Sequence, residues 1–212
     1  MGVEVAAGAA AREARPGERV LDLGCGAGRF VAALAEHGSR PIGVELSERA
    51  LARAARVVPG ADLRLLERDG SLPLAHASVD LVWCSEVIEH VPDVGGLLAE
   101  VRRVLVPGGR LLVTTPDHGR LRTAAIALLR FEAHFDPLGQ HVRFFTRRSL
   151  ATALEATRFD AVRIRAAGGP PLARTTLVGR AVRPRPQPSP SSSSAARSAA
   201  SARRASSTSD VD

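Results

Sequence analysis

Asp22-Leu23-Gly24-Cys25-Gly26-Ala27-Gly28 sets a carboxylate two residues ahead of three glycines at alternate positions. The apolar run before it, Arg19 to Leu23, reads as a short strand, and Arg29 to His37 places Phe30, Val31, Leu34 and Ala35 on one helical face. A strand that ends in glycines and opens a helix lets backbone N–H groups approach an anion at the helix N-terminus. The dinucleotide fingerprint G-x-G-x-x-G is the rival. Counted from Gly24 its third glycine falls on Arg29, and counted from Gly26 it falls on Val31, so both registers fail. Asp22 argues the same way, because a carboxylate here would repel a pyrophosphate yet suits a ligand carrying an ammonium group. The plain alternative is a glycine turn that serves only packing.

Three further positions carry polar chemistry at strand ends. Glu45 lies 21 residues after Gly24, where a carboxylate can accept from both hydroxyls of a ribose; the alternative is a helix N-terminal charge beside Ser47. Asp69-Gly70 pairs an acceptor suited to an adenine amino group with a residue that lets the backbone come close. Cys84-Ser85-Glu86 closes another strand, and Glu89-His90 follows. His90 offers a general base or, more plainly, a hydrogen bond that orients its loop. His118 and His141 are further candidates for a base.

The elements that must position these residues are read from periodicity. A short Ala-rich helix over residues 1–18 ends at the Pro16-Gly17 turn. Strands are expected at Arg19 to Leu23, Pro41 to Glu45, Leu63 to Leu66, Val79 to Cys84 and Arg110 to Thr115. Helices lie between them, Gly38 closing the first and Ser47 capping the second. Another runs from about Gly95 to Leu105, before a turn at Pro107-Gly108-Gly109. Val79 to Cys84 is apolar almost throughout, as a strand buried on both faces must be. This alternation implies βαβ units and a parallel sheet whose carboxyl edge gathers the ligand residues. After Pro116 an apolar helix from Leu121 to Phe131, interrupted by Arg122 and Arg130, belongs to a substrate cover spanning 117–145. Thr146 caps the next helix, and Val162 to Arg165 with Thr175 to Ala181 form an antiparallel edge pair. From 183 to 212 the Ser-, Arg- and Pro-rich sequence has no periodicity and reads as a disordered tail.

Composition narrows the function classes. All 29 basic residues are Arg, and the net charge is +7. Five Arg against two Asp between Arg183 and Asp212 leave +4 for residues 1–182, which argues against nucleic acid as the partner. Cys25 and Cys84 fit neither a disulfide framework nor a zinc site, and no metal ligand spacing stands out. The start of the chain lacks the basic residues and apolar run of a secretory signal, so a reducing, cytoplasmic setting is expected. The apolar cover favours an apolar or amphipathic small molecule as substrate. The alternative is that residues 121–131 lie on an anionic membrane and reach a quinone or lipid, with RNA as a less favoured acceptor. Nothing in the chain sets an oligomeric state.

These segments together resemble the ordered motifs of class I S-adenosylmethionine-dependent methyltransferases. The resemblance covers Val20 to Phe30, Glu45, Asp69 to Pro73, Val79 to Asp93 and Leu97 to Pro116. Ser85-Glu86-Val87-Ile88-Glu89-His90-Val91-Pro92-Asp93 and Arg103-Val104-Leu105-Val106-Pro107-Gly108-Gly109 are closest to the subgroup called methyltransferase type 11, with some similarity to ubiquinone-type O-methyltransferases. It implies a Rossmann-like α/β three-layer sandwich over residues 19–182, with seven strands and an antiparallel C-terminal edge pair. It implies that S-adenosyl-L-methionine is the cofactor. Asp22, Gly24, Cys25, Gly26 and Gly28 would hold its methionine end. Glu45 with Leu46 would hold the ribose, Asp69 and Gly70 the adenine, and Cys84-Ser85 would line the floor. His141 falls in His141-Val142-Arg143-Phe144-Phe145-Thr146, a segment that resembles one near the substrate in type 11 enzymes. His90 and His141 are therefore the catalytic candidates.

Overall fold

The computed structural model describes residues 13–67, 69–136, 139–169 and 175–186. In chain order the elements are β1 (Arg19–Leu23), α1 (Arg29–Glu36), β2 (Arg40–Glu45), α2 (Glu48–Val57), β3 (Asp62–Leu65) and β4 (Val79–Ser85). A 3₁₀ turn at Ile88–His90 follows, then α3 (Val94–Val104), β5 (Leu105–Pro116), α4 (Arg120–Leu129) and α5 (Phe131–His134). α6 (Arg147–Ala156), β6 (Asp160–Ala167) and β7 (Thr176–Val182) complete the fold. All seven strands form one sheet in the order β3-β2-β1-β4-β5-β7-β6. The first five are parallel, β7 runs antiparallel to β5, and β6 antiparallel to β7. The expected α/β sandwich with its antiparallel edge pair is the observed one.

Alternation along the strands produces two cores, one on each face. Leu21, Leu23, Val82, Cys84, Leu111 and Val113 face Leu98, Val101, Leu150 and Leu154 of α3 and α6. Val20, Leu81, Trp83 and Leu112 face the other way, against Leu34 of α1 and Ala14. A strand buried on both sides has no polar face to show, which is why β4 reads as a continuous apolar run.

Helix starts follow side-chain chemistry. Ser47 Oγ accepts from Ala50 N at 3.3 Å and Asp93 Oδ1 from Gly96 N at 2.8 Å. Thr146 and Ser149 bond reciprocally at the start of α6. Each occupies an otherwise unpaired backbone N–H of the first turn.

Several boundaries differ from the sequence expectation. β5 begins at Leu105, and the Pro107-Gly108-Gly109 turn is absorbed into the strand, where Gly108 takes φ +83 beside a register shift against β4. The apolar helix expected over 121–131 breaks at Arg130, whose φ of −151° leaves the helical region and divides it into α4 and α5. Arg183, assigned to the tail by composition, still belongs to the sheet's edge. Its N–H donates to Gly109 O and its carbonyl accepts from Gly108 N, both at 2.9 Å. Its guanidinium donates to the carbonyls of Arg103 and Leu105 at the end of α3. The remaining tail, 187–212, and the N-terminal residues 1–12 lie outside the described residues. Among the described residues no helix is long and apolar enough to cross a membrane.

Gly43 in β2 fits the glycine loop onto the sheet. A Cβ there would stand 2.7 Å from Leu63 Cδ2, 2.9 Å from Cys25 Sγ and 3.1 Å from Val31 Cγ2. Gly43→Ala is expected to cost about 1–3 kcal/mol through overpacking, read as a lowered urea midpoint at unchanged slope. An unchanged midpoint would show that the loop gives way freely.

Candidate cofactor site

The sheet reverses its order between β1 and β4, and the residues leaving the carboxyl ends of these neighbours meet in one place. β1 delivers Asp22 and the glycines, β2 delivers Glu45, and β4 delivers Ser85 and Glu86. Such a reversal leaves a crevice, because the flanking loops turn to opposite faces of the sheet.

Asp22 is 1% exposed, and its Oδ2 has no hydrogen-bond partner. Burial, with the Glu45 carboxylate nearby as a second cause, pushes its pKa up to about 7. A buried acceptor of this kind calls for a donor, best a cationic one. Gly24, Gly26 and Gly28 have φ of +77°, +54° and +82°, a conformation that side chains rarely adopt. A Cβ on Gly24 would strike Val87 Cγ2 at 2.4 Å, whereas one on Gly26 would meet nothing within 4 Å. The loop therefore leaves open room at Gly26. Its N–H groups are largely committed: Gly24 and Cys25 donate to Val44 O, Gly28 to Cys25 O and Gly26 to Glu45 Oε2. The anion cradle expected from sequence is, at these four positions, an internally bonded turn.

Glu45 joins that loop to α2. Its Oε2 accepts from Gly26 N at 3.1 Å and its Oε1 from Ser47 N at 3.0 Å. Glu45 thus sits as a charge at the start of α2, one of its two sequence readings, and ties that start to the glycine loop. Leu46 is 63% exposed and lines an open cleft of about 620 Å³ with Glu48, Leu65 and Leu66. An adjoining cleft of about 480 Å³, which shares Leu66, holds Asp69, Gly70, Val91 and Pro92. Asp69 Oδ1 accepts from Ser71 N at 2.9 Å, a bond that holds its carboxyl below the usual range. The two clefts meet at Leu66, with the carboxylate of Glu48 in the first and that of Asp69 in the second.

The structure buries the side chains of both cysteines. Cys25 is 4% exposed, with Sγ turned toward Gly43, and burial pushes its thiol up to about 12. Cys84 is sealed in the larger core and its thiol is raised further, again by burial. Neither thiol lines the crevice. The polar floor is Ser85, whose Oγ is 2.8 Å from Thr114 Oγ1, and Glu86, whose Oε1 accepts from that hydroxyl at 3.0 Å. Glu86 takes φ +54, a strained conformation of the sort that gathers at functional sites.

Beyond this floor the structure assembles a second polar group. Glu89 is 1% exposed with both carboxylate oxygens unpaired, and burial pushes it up to about 7. The His90 and His141 rings lie 4.8 Å apart between centroids. One ligand atom each from Glu89, His90 and His141 falls within 4.8 Å of the others, a spacing that would admit one cation among them but is too wide for a shared proton. The sequence showed no metal ligand spacing because His141 comes from a segment 51 residues after His90. His90 Nδ1 donates to Gln140 O at 2.9 Å, so its Nε2 is the free nitrogen of the neutral ring. Both readings of His90 survive: it orients the 140–143 segment and offers a base. His118 is buried, and its Nε2 lies 3.1 Å from Nε2 of His134, a residue sequence reasoning missed. Nothing in the spacing of 118 and 134 announces that pair.

A methyltransferase-domain family profile matches residues 21–113. The chain is 30% identical over 175 residues to a ubiquinone biosynthesis O-methyltransferase of Hahella chejuensis, covering 79% of this chain and 74% of that one. It is 42% identical over 113 residues to an uncharacterised 37.1 kDa transposon protein of Streptomyces fradiae; the match covers 50% of this chain but only 32% of that protein. Among solved structures, a Burkholderia thailandensis 1,6-didemethyltoxoflavin-N1-methyltransferase bound to its substrate and S-adenosylhomocysteine superposes with a TM-score of 0.64. That pair is 26% identical, over 84% of this chain and 76% of the other. The chain belongs to the class I S-adenosylmethionine-dependent methyltransferases. Its cofactor is S-adenosylmethionine, and the unpaired Asp22 oxygen, the open space at Gly26 and the adjoining clefts all fit that molecule.

Proposed function

We propose that the chain methylates an O, N or C nucleophile of an apolar or amphipathic small molecule, with an aromatic ring as the favoured carrier. The observation that carries this reading is the aromatic lining of the cover. The Phe131 and Phe135 ring centroids lie 5.1 Å apart, Phe135 and Phe144 5.0 Å, and Phe144 and His118 4.9 Å. Of these rings Phe131 and Phe144 remain partly exposed, and aromatic faces of this kind suit stacking against a flat molecule. That one relative is a ubiquinone biosynthesis O-methyltransferase and another a 1,6-didemethyltoxoflavin-N1-methyltransferase supports the same class.

In this reading Asp22 receives the cofactor's ammonium, and the turn of Gly24, Gly26 and Gly28 admits its methionine end. Glu45 receives the ribose hydroxyls against Leu46, Asp69 and Gly70 meet the adenine, and Ser85 completes the floor. The cofactor supplies a methyl already activated by the sulfonium charge. The protein's part is to hold the acceptor in line, exclude water and take up a proton where the acceptor is a hydroxyl. His90 through its free Nε2, or its neighbour His141, takes that proton. Burial and the adjacent His90 hold His141 below the ordinary imidazole value, so it stands neutral at pH 7.

A second reading places the acceptor in a membrane. Leu128, Leu129 and Phe131 are 85%, 81% and 57% exposed, beside exposed Arg130. Apolar side chains flanked by cations suit an anionic lipid surface.

Calorimetry should give micromolar binding of S-adenosylmethionine and S-adenosylhomocysteine, and none of NAD. Since Asp22 protonates at about 7 in the free site, affinity should hold above that pH and fall about tenfold per unit below it. Asp22→Asn should bind weakly and without this slope; a wild-type affinity flat from pH 8 to 5.5 would remove Asp22 from the ammonium site. His90→Ala should lower kcat at least tenfold toward a phenolic acceptor while cofactor affinity holds, and unchanged turnover would exclude it as the base. Sedimentation with anionic but not neutral liposomes, lost in Leu128→Ser/Leu129→Ser, is the outcome the membrane reading requires.

A further inference from the structure

α5 is tied to the end of the sheet through two imidazoles. His118 follows β5 by two residues and is 5% exposed. Its own N–H donates to Phe145 O, and its carbonyl accepts from Thr123 Oγ1, so it belongs to the fixed frame at the strand's exit. Its Nδ1 lies 3.2 Å from Pro116 O. A carbonyl only accepts, so Nδ1 carries the proton, and Nε2 of the neutral ring is a lone pair. That lone pair faces Nε2 of His134 at 3.1 Å, which therefore must carry its own proton. The two rings are locked in complementary tautomers through one N–H···N bond. Phe144 packs edge-on against His118 and meets Phe135, which meets Phe131, so the aromatic roof rides on the same contact.

The bond tolerates one extra proton but not two. A proton added at Nδ1 of His134 would leave the N–H···N contact intact. A second can go only to Nε2 of His118, after which two N–H groups oppose each other between two cations. The charged and titratable groups facing His118 are Arg122, His134 and His141, none of them an anion that would offset the added charge. Behind His141 stand His90 and the Glu86 carboxylate, which faces His141.

We propose that the His118–His134 pair is a proton-released latch, closing α5 and its aromatic roof over the acceptor near neutral pH and freeing them once both rings are protonated. The acceptor's place under this roof rests on the function proposed above; the latch itself does not. Burial, first, holds His118 below the ordinary imidazole value. The closed state therefore keeps the ring neutral, while an opened ring returns to about 6.5. Closure is unaffected by pH above that value and weakens about tenfold per unit below it, until the closed-state pKa is reached.

Hydrogen–deuterium exchange of the full chain without cofactor, corrected for intrinsic rates from pH 7.5 to 5, tests this. Amides of 131–136 should lose protection about tenfold per unit below pH 6.5 while those of β4 and β5 keep theirs. His134→Gln should abolish the pH dependence, because its amide can donate to the neutral His118 ring or accept from the protonated one. His134→Phe, which keeps an aromatic side chain but no donor, should leave the segment exchanging fast at every pH. Flat wild-type protection, or a Gln variant that follows the wild-type profile, overturns the latch. Failure of the acceptor reading would appear separately, as no turnover of aromatic acceptors in a chain whose exchange still follows pH.

Discussion

Asp22 has its side chain almost fully buried near the carboxyl end of β1, beside the sheet's central strand β4, with one oxygen unpaired. Burying an uncompensated carboxylate is among the more expensive arrangements open to a folded chain, and ordinarily a neighbour would satisfy it. Here the nearest charge is another carboxylate, Glu45, which makes the position worse. The rest of the crevice is arranged around that deficit. β1 ends there because the next residue is a left-handed glycine, the loop folds onto Val44 and Glu45, and Gly43 clears the space into which Cys25 and Val31 pack. A cationic ligand group relieves what the protein leaves unpaired, so binding and the folded geometry of the loop share one cause.

The cofactor half was legible in sequence because its signals are local. A strand, a carboxylate and three glycines fall within ten residues, and the failure of both dinucleotide registers follows from counting to Arg29 and Val31. Glu45 was legible from its distance along the chain, since one βα unit separates the ends of adjacent parallel strands. Errors arose where backbone and side chain part company. Cys25 and Cys84 sit in motif positions, but alternation along β4 and the glycine turn send both thiols into the core. The strand boundary at Leu105 was missed because Pro107-Gly108-Gly109 has the chemistry of a turn, and here it serves as an irregularity within a strand.

The acceptor half was much less legible, for the opposite reason. His90 meets His141, and His118 meets His134, through contacts between segments that carry no shared period. No local rule links residues 51 or 16 positions apart across a loop and a broken helix. The break at Arg130 matters to that geometry. A continuous helix to Phe131 would have carried the following residues onward along one axis, whereas a new start at Phe131 gives α5 an axis of its own and sets His134 against His118.

The two halves answer different physical demands. An invariant ligand can be met by rigid strand ends and by glycines that leave space where side chains would stand. A variable acceptor needs walls that can be exchanged without disturbing the sheet. The segment between β5 and α6 meets that need, because it is anchored at Asp117 to Phe145 and at His118 while, among the described side chains, its helices contribute no buried residue to either core. Specificity can therefore drift in the cover at little cost to stability. The price is that the cover must be held by a few polar contacts, and imidazoles, whose bonding changes with protonation, supply two of those described: His118 with His134, and His90 with Gln140 O.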